Sequence, residues 1–204
     1  NNGSIDNSGQ VFKRLLASRK YPFVQVIEIK KNRGYGHGIM TGIRRSSREV
    51  ISWTHADMQT DPGDVFRAYQ FFEKLKDEKT IVKGNRIKRP IGPVLFSSGM
   101  AFIASLVLGK WLFEINAQPK MFHRNFIRYL KDPPTDFSLD LFLLYLAKKH
   151  GYKIKSIDVE FKPRKHGVSS WAGTFKSRWK TVVRTIKYIR RLRERFVQRQ
   201  ARFV

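Results

Sequence analysis

The chain has 204 residues, 41% of them hydrophobic, which suffices for one folded domain with a substantial core and excludes an intrinsically disordered segment. A formal net charge of +25, with a pI near 10.7, points to a polyanionic partner: nucleic acid, an anionic membrane surface or a phosphorylated substrate. The absence of cysteine excludes disulfides, thiolate metal sites and thiol nucleophiles.

The polar start Asn1 to Gln10 has no signal-peptide pattern and no initiator Met, and reads as the interior of a longer protein. A loop to Gly9 precedes a helix over Gln10–Arg19. The run F-V-Q-V-I-E-I from Phe23 to Ile29, rich in β-branched residues and preceded by Pro22, predicts a strand. Gly34, Gly36 and Gly38 mark a turn, followed by a short helix over Ile39–Ser47 and a second strand over Val50–Thr54. Asp61 and Pro62 open a helix over Val65–Lys76, and Thr80–Lys83 is a third strand. This alternation implies an α/β sandwich with a largely parallel sheet.

Lys83 to Pro93 reads as a basic loop. The uncharged run from Pro90 to Gly109 carries Ser, Gly and Pro, and reads as a buried or interfacial helix rather than a membrane span. Asp132, Pro133 and Pro134 break the chain before a helix over Ser138–Lys149, and Lys153–Phe161 alternates as a strand. Beyond Trp171, Phe175, Trp179, Val182, Ile186, Ile189 and Phe196 recur at helical intervals among Arg and Lys. They predict a basic amphipathic helix suited to an anionic leaflet. Trp53, Phe66, Phe71, Phe72 and Phe102 are expected in the core.

The segment T-H-A-D-M-Q carries the chemistry. It follows a strand, and ligands of open α/β sheets bind outside the carboxyl ends of strands. Asp57 and Gln59 alternate along an extended chain, so both can present hard oxygen ligands to a cation carrying a diphosphate. As a lone D-x-Q, Asp57 could instead cap the next turn. The histidines have no metal-ligand spacing, and there is no G-x-x-x-x-G-K-S/T phosphate loop.

Three segments widen the context: N-N-G-S-I-D-N-S (1–8), N-R-G-Y-G-H-G (32–38) and W-T-H-A-D-M-Q-T-D-P (53–62). Together with G-N-R (84–86), E-I-N-A-Q-P-K-M-F (114–122), H-G-Y-K-I (150–154) and R-K-H-G-V-S-S-W (164–171), their order resembles family 2 glycosyltransferases. Within that family the chain is most similar to the dolichyl- and polyprenyl-phosphate sugar synthases. The resemblance implies a GT-A fold, a Rossmann-like three-layer α/β sandwich with a mainly parallel sheet, over residues 1–171. The family's first strand and helix would precede Asn1, and residues 172–204 would form the basic helical tail.

What the resemblance implies chemically is a metal-dependent, inverting hexosyltransferase. Its donor would be a UDP- or GDP-linked sugar, its cofactor Mg²⁺ or Mn²⁺, and its acceptor a polyprenyl phosphate or glycan at the cytoplasmic face of a membrane. Asn2, Asp6, Asn32, Gly34, Gly36 and Gly38 would shape the nucleotide-sugar pocket, with Asp57 as the principal metal ligand and Gln59 its companion. Arg86, Lys88, Arg89 and Arg164 would hold phosphates. Asp140 is the candidate base, although an acid near a helix amino end is favourable in its own right, and Glu114 matches a family acid near the site. The chain departs from the family in carrying His55 where an acid commonly stands two residues before the metal ligand, and Asn2 where Asp is frequent. The competing readings are an inactive GT-A-like scaffold and a basic nucleic-acid-binding protein; no recognised nucleic-acid motif supports the latter partner.

Overall fold

The computed structural model describes residues 1–18, 20–89, 91–162 and 182–194, without the side chains of Pro93 and Phe96. Arg164, the rest of its motif and the tail residues Phe175, Trp179 and Phe196 lie outside the described residues. The elements in order are α1 (Ser8–Ala17), α2 (Tyr35–Arg45), β1 (Val50–Trp53), α3 (Asp64–Leu75), β2 (Thr80–Ile87) and α4 (Ile91–Leu108). β3 (Lys120–His123), a 3₁₀ turn (Arg124–Tyr129), α5 (Ser138–Lys149) and β4 (Lys153–Glu160) follow.

The sheet has the order β1-β3-β2-β4. β2 and β4 pair in parallel from Thr80↔Lys153 to Ile87↔Glu160, while β3 runs antiparallel between β1 and β2. Thus β1, β2 and β4 share one direction, as the sequence predicts, and β3 makes the sheet mixed. Its four residues K-M-F-H are too short to signal a strand by alternation.

Two other elements differ from expectation. The basic stretch from Lys83 is not a loop at its start: β2 continues to Ile87 because β4 supplies main-chain partners along its whole length. Phe23–Ile29 forms no strand. Among the described residues its inter-segment main-chain bonds are with Asn1, whose carbonyl accepts from Ile29 N–H at 2.9 Å and whose amine donates to Ile27 at 2.9 Å.

Side-chain alternation along the strands divides the core. Ile51, Phe122 and Ile81 lie opposite one another and face the cluster containing Met40 and Ile43 of α2 and most of α5. Val82 and Met121 point to the other face, against Ala68 and Phe72 of α3. The helical stretch 182–194 also enters the larger cluster, with Ile189 and Leu192 buried in it. Arg184 adds a contact with Asp136 at 3.6 Å. The described part of the tail therefore turns its apolar face into the domain. Phe72 is in the core as expected, Trp53 and Phe71 are partly buried against it, and Phe66 and Phe102 are exposed. Among the described residues no helix is long and apolar enough to cross a membrane.

Candidate functional site

The site forms where β1 and β2 end. Beyond Trp53 the chain turns through 54–60, with Met58 at φ +59 and the hydroxyls of Thr54 and Thr60 3.4 Å apart. Asp57 Oδ1 accepts from Gln59 N–H at 3.2 Å, so Asp57 braces the turn while its half-buried carboxylate stays at the strand end. Gln59 latches this loop to the end of β4: its carbonyl accepts from Lys162 N–H at 2.8 Å and its Nε2 donates to the Lys162 carbonyl at 3.2 Å. His55 lies edge-on to Phe161 at 6.4 Å. Burial holds its pKa below the usual imidazole range; Asp57 and Asp140 oppose that shift, and Lys120 and Arg86 reinforce it. Those four charges converge on a neutral imidazole.

Below the loop, strand register produces a charged row that sequence reasoning missed. One step of alternation beyond the apolar row, Trp53, Lys120 and Lys83 lie side by side across β1, β3 and β2. They share the face covered by α5. Lys83 and Lys120 are 1% and 0% exposed. Lys120 Nζ sits 2.6 Å from Asp140 Oδ1 and donates to the Ala117 carbonyl at 3.0 Å. Asp140 is held further by Tyr35 Oη at 3.1 Å and Gln118 Nε2 at 3.1 Å, and Gln118 also donates to Tyr35 Oη at 3.0 Å. Burial, with the Asp140 charge beside it, pushes the Tyr35 hydroxyl pKa well up, so it remains a donor. Burial pushes the Lys120 pKa down, against the pull of Asp140.

Lys83 has main-chain oxygens as hydrogen-bond partners, those of Gly84 at 3.1 Å and Glu114 at 3.4 Å, and lies over the Phe113 ring at 4.2 Å. Burial and the neighbouring Lys120 lower its pKa to about 7. Its position in a strand rich in basic residues disguised it as a solvated charge. The period of two, counted from buried Ile81, is the signal that could have found it.

A third group joins the end of β2 to the segment after α4. Glu114 Oε2 accepts from Arg86 Nε at 2.6 Å, and its Oε1 accepts from Arg89 at 2.9 Å. Both guanidiniums stack over Phe161, at 5.3 and 5.9 Å. Burial works to raise the Glu114 pKa, but the hydrogen bond and charge of Arg86, with Arg89 and Lys83, hold it below the usual carboxylate range. Glu114 is therefore an anionic clamp for two arginines. Gly84 lets the strands close here, since a Cβ on it would come 2.1 Å from the Gln118 carbonyl oxygen.

The expected nucleotide-pocket residues separate into two roles. Asn2 donates to Asn32 Oδ1 at 3.3 Å and to the Gly34 carbonyl at 2.9 Å, and packs against Gly38, where a Cβ would meet its side chain at 3.2 Å. Asn2 Oδ1 is buried with no hydrogen-bond partner among the described residues. Gly34 and Gly36 instead admit the 134–135 backbone: a Cβ would come 2.4 Å from the Thr135 oxygen or 2.3 Å from the Pro134 oxygen. Asp6 accepts from Ser8 N–H at 3.0 Å at the start of α1, and hydrogen bonding from the Ser8 side chain first, then from its backbone, holds the Asp6 carboxyl below the usual range. Lys88 points outward and pairs with Glu160 on the exposed surface, away from the Arg86 and Arg89 clamp.

Four cationic side chains, Lys83, Arg86, Arg89 and Lys120, thus stand with the carboxylates of Asp57, Glu114 and Asp140. Among the described residues no group of three or more His, Cys, Asp or Glu side chains gathers to hold a metal. A hard divalent cation fits this donor set as Mg²⁺ is commonly bound, through one or two protein oxygens completed by phosphate and water.

The sequence profile of Glycosyl transferase family 2 matches residues 1–155. No curated protein sequence matches the chain. Among solved structures, the chain is similar to glucosyl-3-phosphoglycerate synthase from Mycobacterium tuberculosis in complex with phosphoglyceric acid. The identity is 17% and the TM-score 0.61, covering 92% of this chain and 66% of that one. The same enzyme with Mn²⁺, UDP-glucose and phosphoglyceric acid gives 16% identity and a TM-score of 0.62, over 92% and 65%. Its complex with Mg²⁺ and UDP gives 17% and 0.60, over 92% and 65%. The fold is GT-A, as the motif order implied, and the chain spans 65–66% of the length of these structures.

Proposed function

The chain belongs to glycosyl transferase family 2, and from that membership we propose that its parent protein is an inverting, metal-dependent hexosyltransferase moving a sugar from a UDP- or GDP-linked donor to a polyprenyl phosphate at the cytoplasmic face of a membrane. The observation that carries this reading is the placement of Asp57 on a loop latched to β4, above buried Lys120 and Asp140 and beside the Arg86–Glu114–Arg89 clamp. Asp57, with the Gln59 amide oxygen, would hold Mg²⁺ or Mn²⁺. When bound, that ion neutralises the donor's diphosphate as it departs.

The chain's own residues supply the rest. Glu114 orients the Arg86 and Arg89 guanidiniums, so phosphate oxygens meet donors that need no reorganisation. An anionic oxygen of the acceptor attacks the anomeric carbon opposite the diphosphate. The new C–O bond forms as the old one breaks, the electron pair leaves with the nucleoside diphosphate, and the configuration inverts.

Asp140 favours a phosphate acceptor over a sugar hydroxyl. Both its oxygens are engaged, Oδ1 by Lys120 and Gln118 and Oδ2 by Tyr35, so it positions Lys120 rather than standing ready to take a proton. A phosphate acceptor is already ionised near neutral pH and asks for no base. The test is release of nucleoside diphosphate by the full-length protein, supplied in turn with UDP- and GDP-sugars, Mn²⁺ and a detergent-dispersed polyprenyl phosphate. Release that requires both metal and lipid phosphate is expected. Equal turnover with a dephosphorylated polyprenol would contradict the acceptor assignment.

A further inference from the structure

α4 carries two unlike faces. Ala101, Ala104, Ser105 and Leu108 are buried against the domain, the first three being small side chains that let the helix sit close. Around the helix from these, Ile91, Leu95, Phe102 and Leu106 form one outward stripe at helical spacing, 78%, 68%, 57% and 73% exposed. Ser98 and Gly99 fill its middle, and Trp111 extends it past the helix end at 68% exposure. Ile91 and Leu106 are fifteen residue steps apart on this helix, so the ridge is ~23 Å long. Such a ridge is unusual on a surface facing water alone.

We propose that α4 is the element by which this domain docks on an anionic lipid surface, lying in the interface plane with Ile91, Leu95, Phe102 and Leu106 in the acyl boundary and Trp111 at headgroup level. Three observations select this occupant. No acidic residue occurs between Lys88 and Phe113, and the exposed Lys110 and Lys88, the latter beside Glu160, bracket the ridge, so its ends carry positive charge toward lipid phosphate. A second copy would bring another formal charge of +25 against the first. The apolar side chains stand out as a convex ridge on one helix, which acyl chains accommodate without a matching groove. The described part of the basic tail is not the apolar anchor, because its Ile189 and Leu192 are buried in the core. α4 also starts two residues beyond Arg89, which bonds Ser97 Oγ at 3.2 Å, so docking on this face brings the arginine clamp to the lipid surface.

This inference deepens the membrane part of the proposed function and rests on it. Its test reads partition without any sugar transfer, so the two can fail separately. The full-length protein is sedimented with phosphatidylcholine vesicles with and without 30% phosphatidylglycerol, at low and high salt. Leu95→Glu/Leu106→Glu is compared with the wild type, with Leu95→Ser/Leu106→Ser as a milder pair and near-ultraviolet circular dichroism to confirm folding. The expected result is a loss of vesicle affinity of roughly tenfold or more in both pairs at either salt. A charge reversal on the tail, Lys187→Glu/Arg191→Glu, should reduce only the salt-sensitive part. Wild-type partition by folded α4 variants would overturn the proposal, as would self-association of the wild type that the variants abolish without a change in vesicle binding.

Discussion

Lys83→Met isolates the energetic consequence of the buried cationic row. Lys83 is 1% exposed, its hydrogen-bond partners among the described residues are main-chain carbonyls, and burial first, then Lys120, brings its pKa from 10.5 to about 7. The unfolded chain keeps that proton up to about pH 10.5 while the folded chain releases it near 7. Between those values the unfolded state binds more protons, so stability rises with pH, by up to about 1.4 kcal/mol per unit. Integrated from pH 7.5 to 9.5, this single lysine contributes an increase of about 2–3 kcal/mol. Methionine fills similar space and carries no proton. Urea unfolding of both proteins at the two pH values should therefore show the wild type gaining about 2–3 kcal/mol more than Lys83→Met, with the variant the more stable at pH 7.5. Equal pH increments in the two proteins would refute the assignment of Lys83 as a desolvated, depressed lysine.

Three further outcomes are expected. Asp140→Asn leaves Lys120 buried without its counter-charge and should cost about 3–5 kcal/mol, whereas Lys120→Met/Asp140→Leu should recover most of that stability; urea denaturation measures both. Gly36→Ala drives a Cβ to 2.3 Å from the Pro134 oxygen and should cost about 3 kcal/mol, seen as a lower Tm, while Gly42→Ala, where a Cβ has open space, should be neutral or better. His55 is held neutral at pH 7 by burial, so His55→Asp adds a negative charge beside Asp57 and should tighten Mn²⁺ affinity about tenfold, measured by titration with the metal and UDP.

The order of elements was legible because most carry local signals. α5 occupies the predicted Ser138–Lys149 and β4 begins at the predicted Lys153, since periodicity and the Gly151 stop act within a few residues. β3 was not legible, because its four residues, paired on both sides by β1 and β2, owe their conformation to those neighbours. The site divides in the same way. Asp57, Arg86 and Glu114 were visible in their motifs, Arg89 as a basic neighbour and Asp140 as an acid at a helix start, but none of these signals reveals that Glu114 serves the arginines or that Asp140 is committed to Lys120. Lys83, Lys120, Gln118 and Tyr35 come together only through strand register and the packing of α2 and α5 on the sheet. Lys88 illustrates the converse, as it sits in the same basic run as Arg86 and Arg89 yet faces outward to Glu160.

The central claim is that Asp57 anchors a metal-dependent nucleotide site, and calorimetric titration of UDP and GDP into the full-length protein with Mn²⁺ present tests it most directly. The wild type should bind one of the two, lose that binding with chelator, and lose it equally in Asp57→Ala with the fold intact. Unchanged affinity in Asp57→Ala would contradict the account.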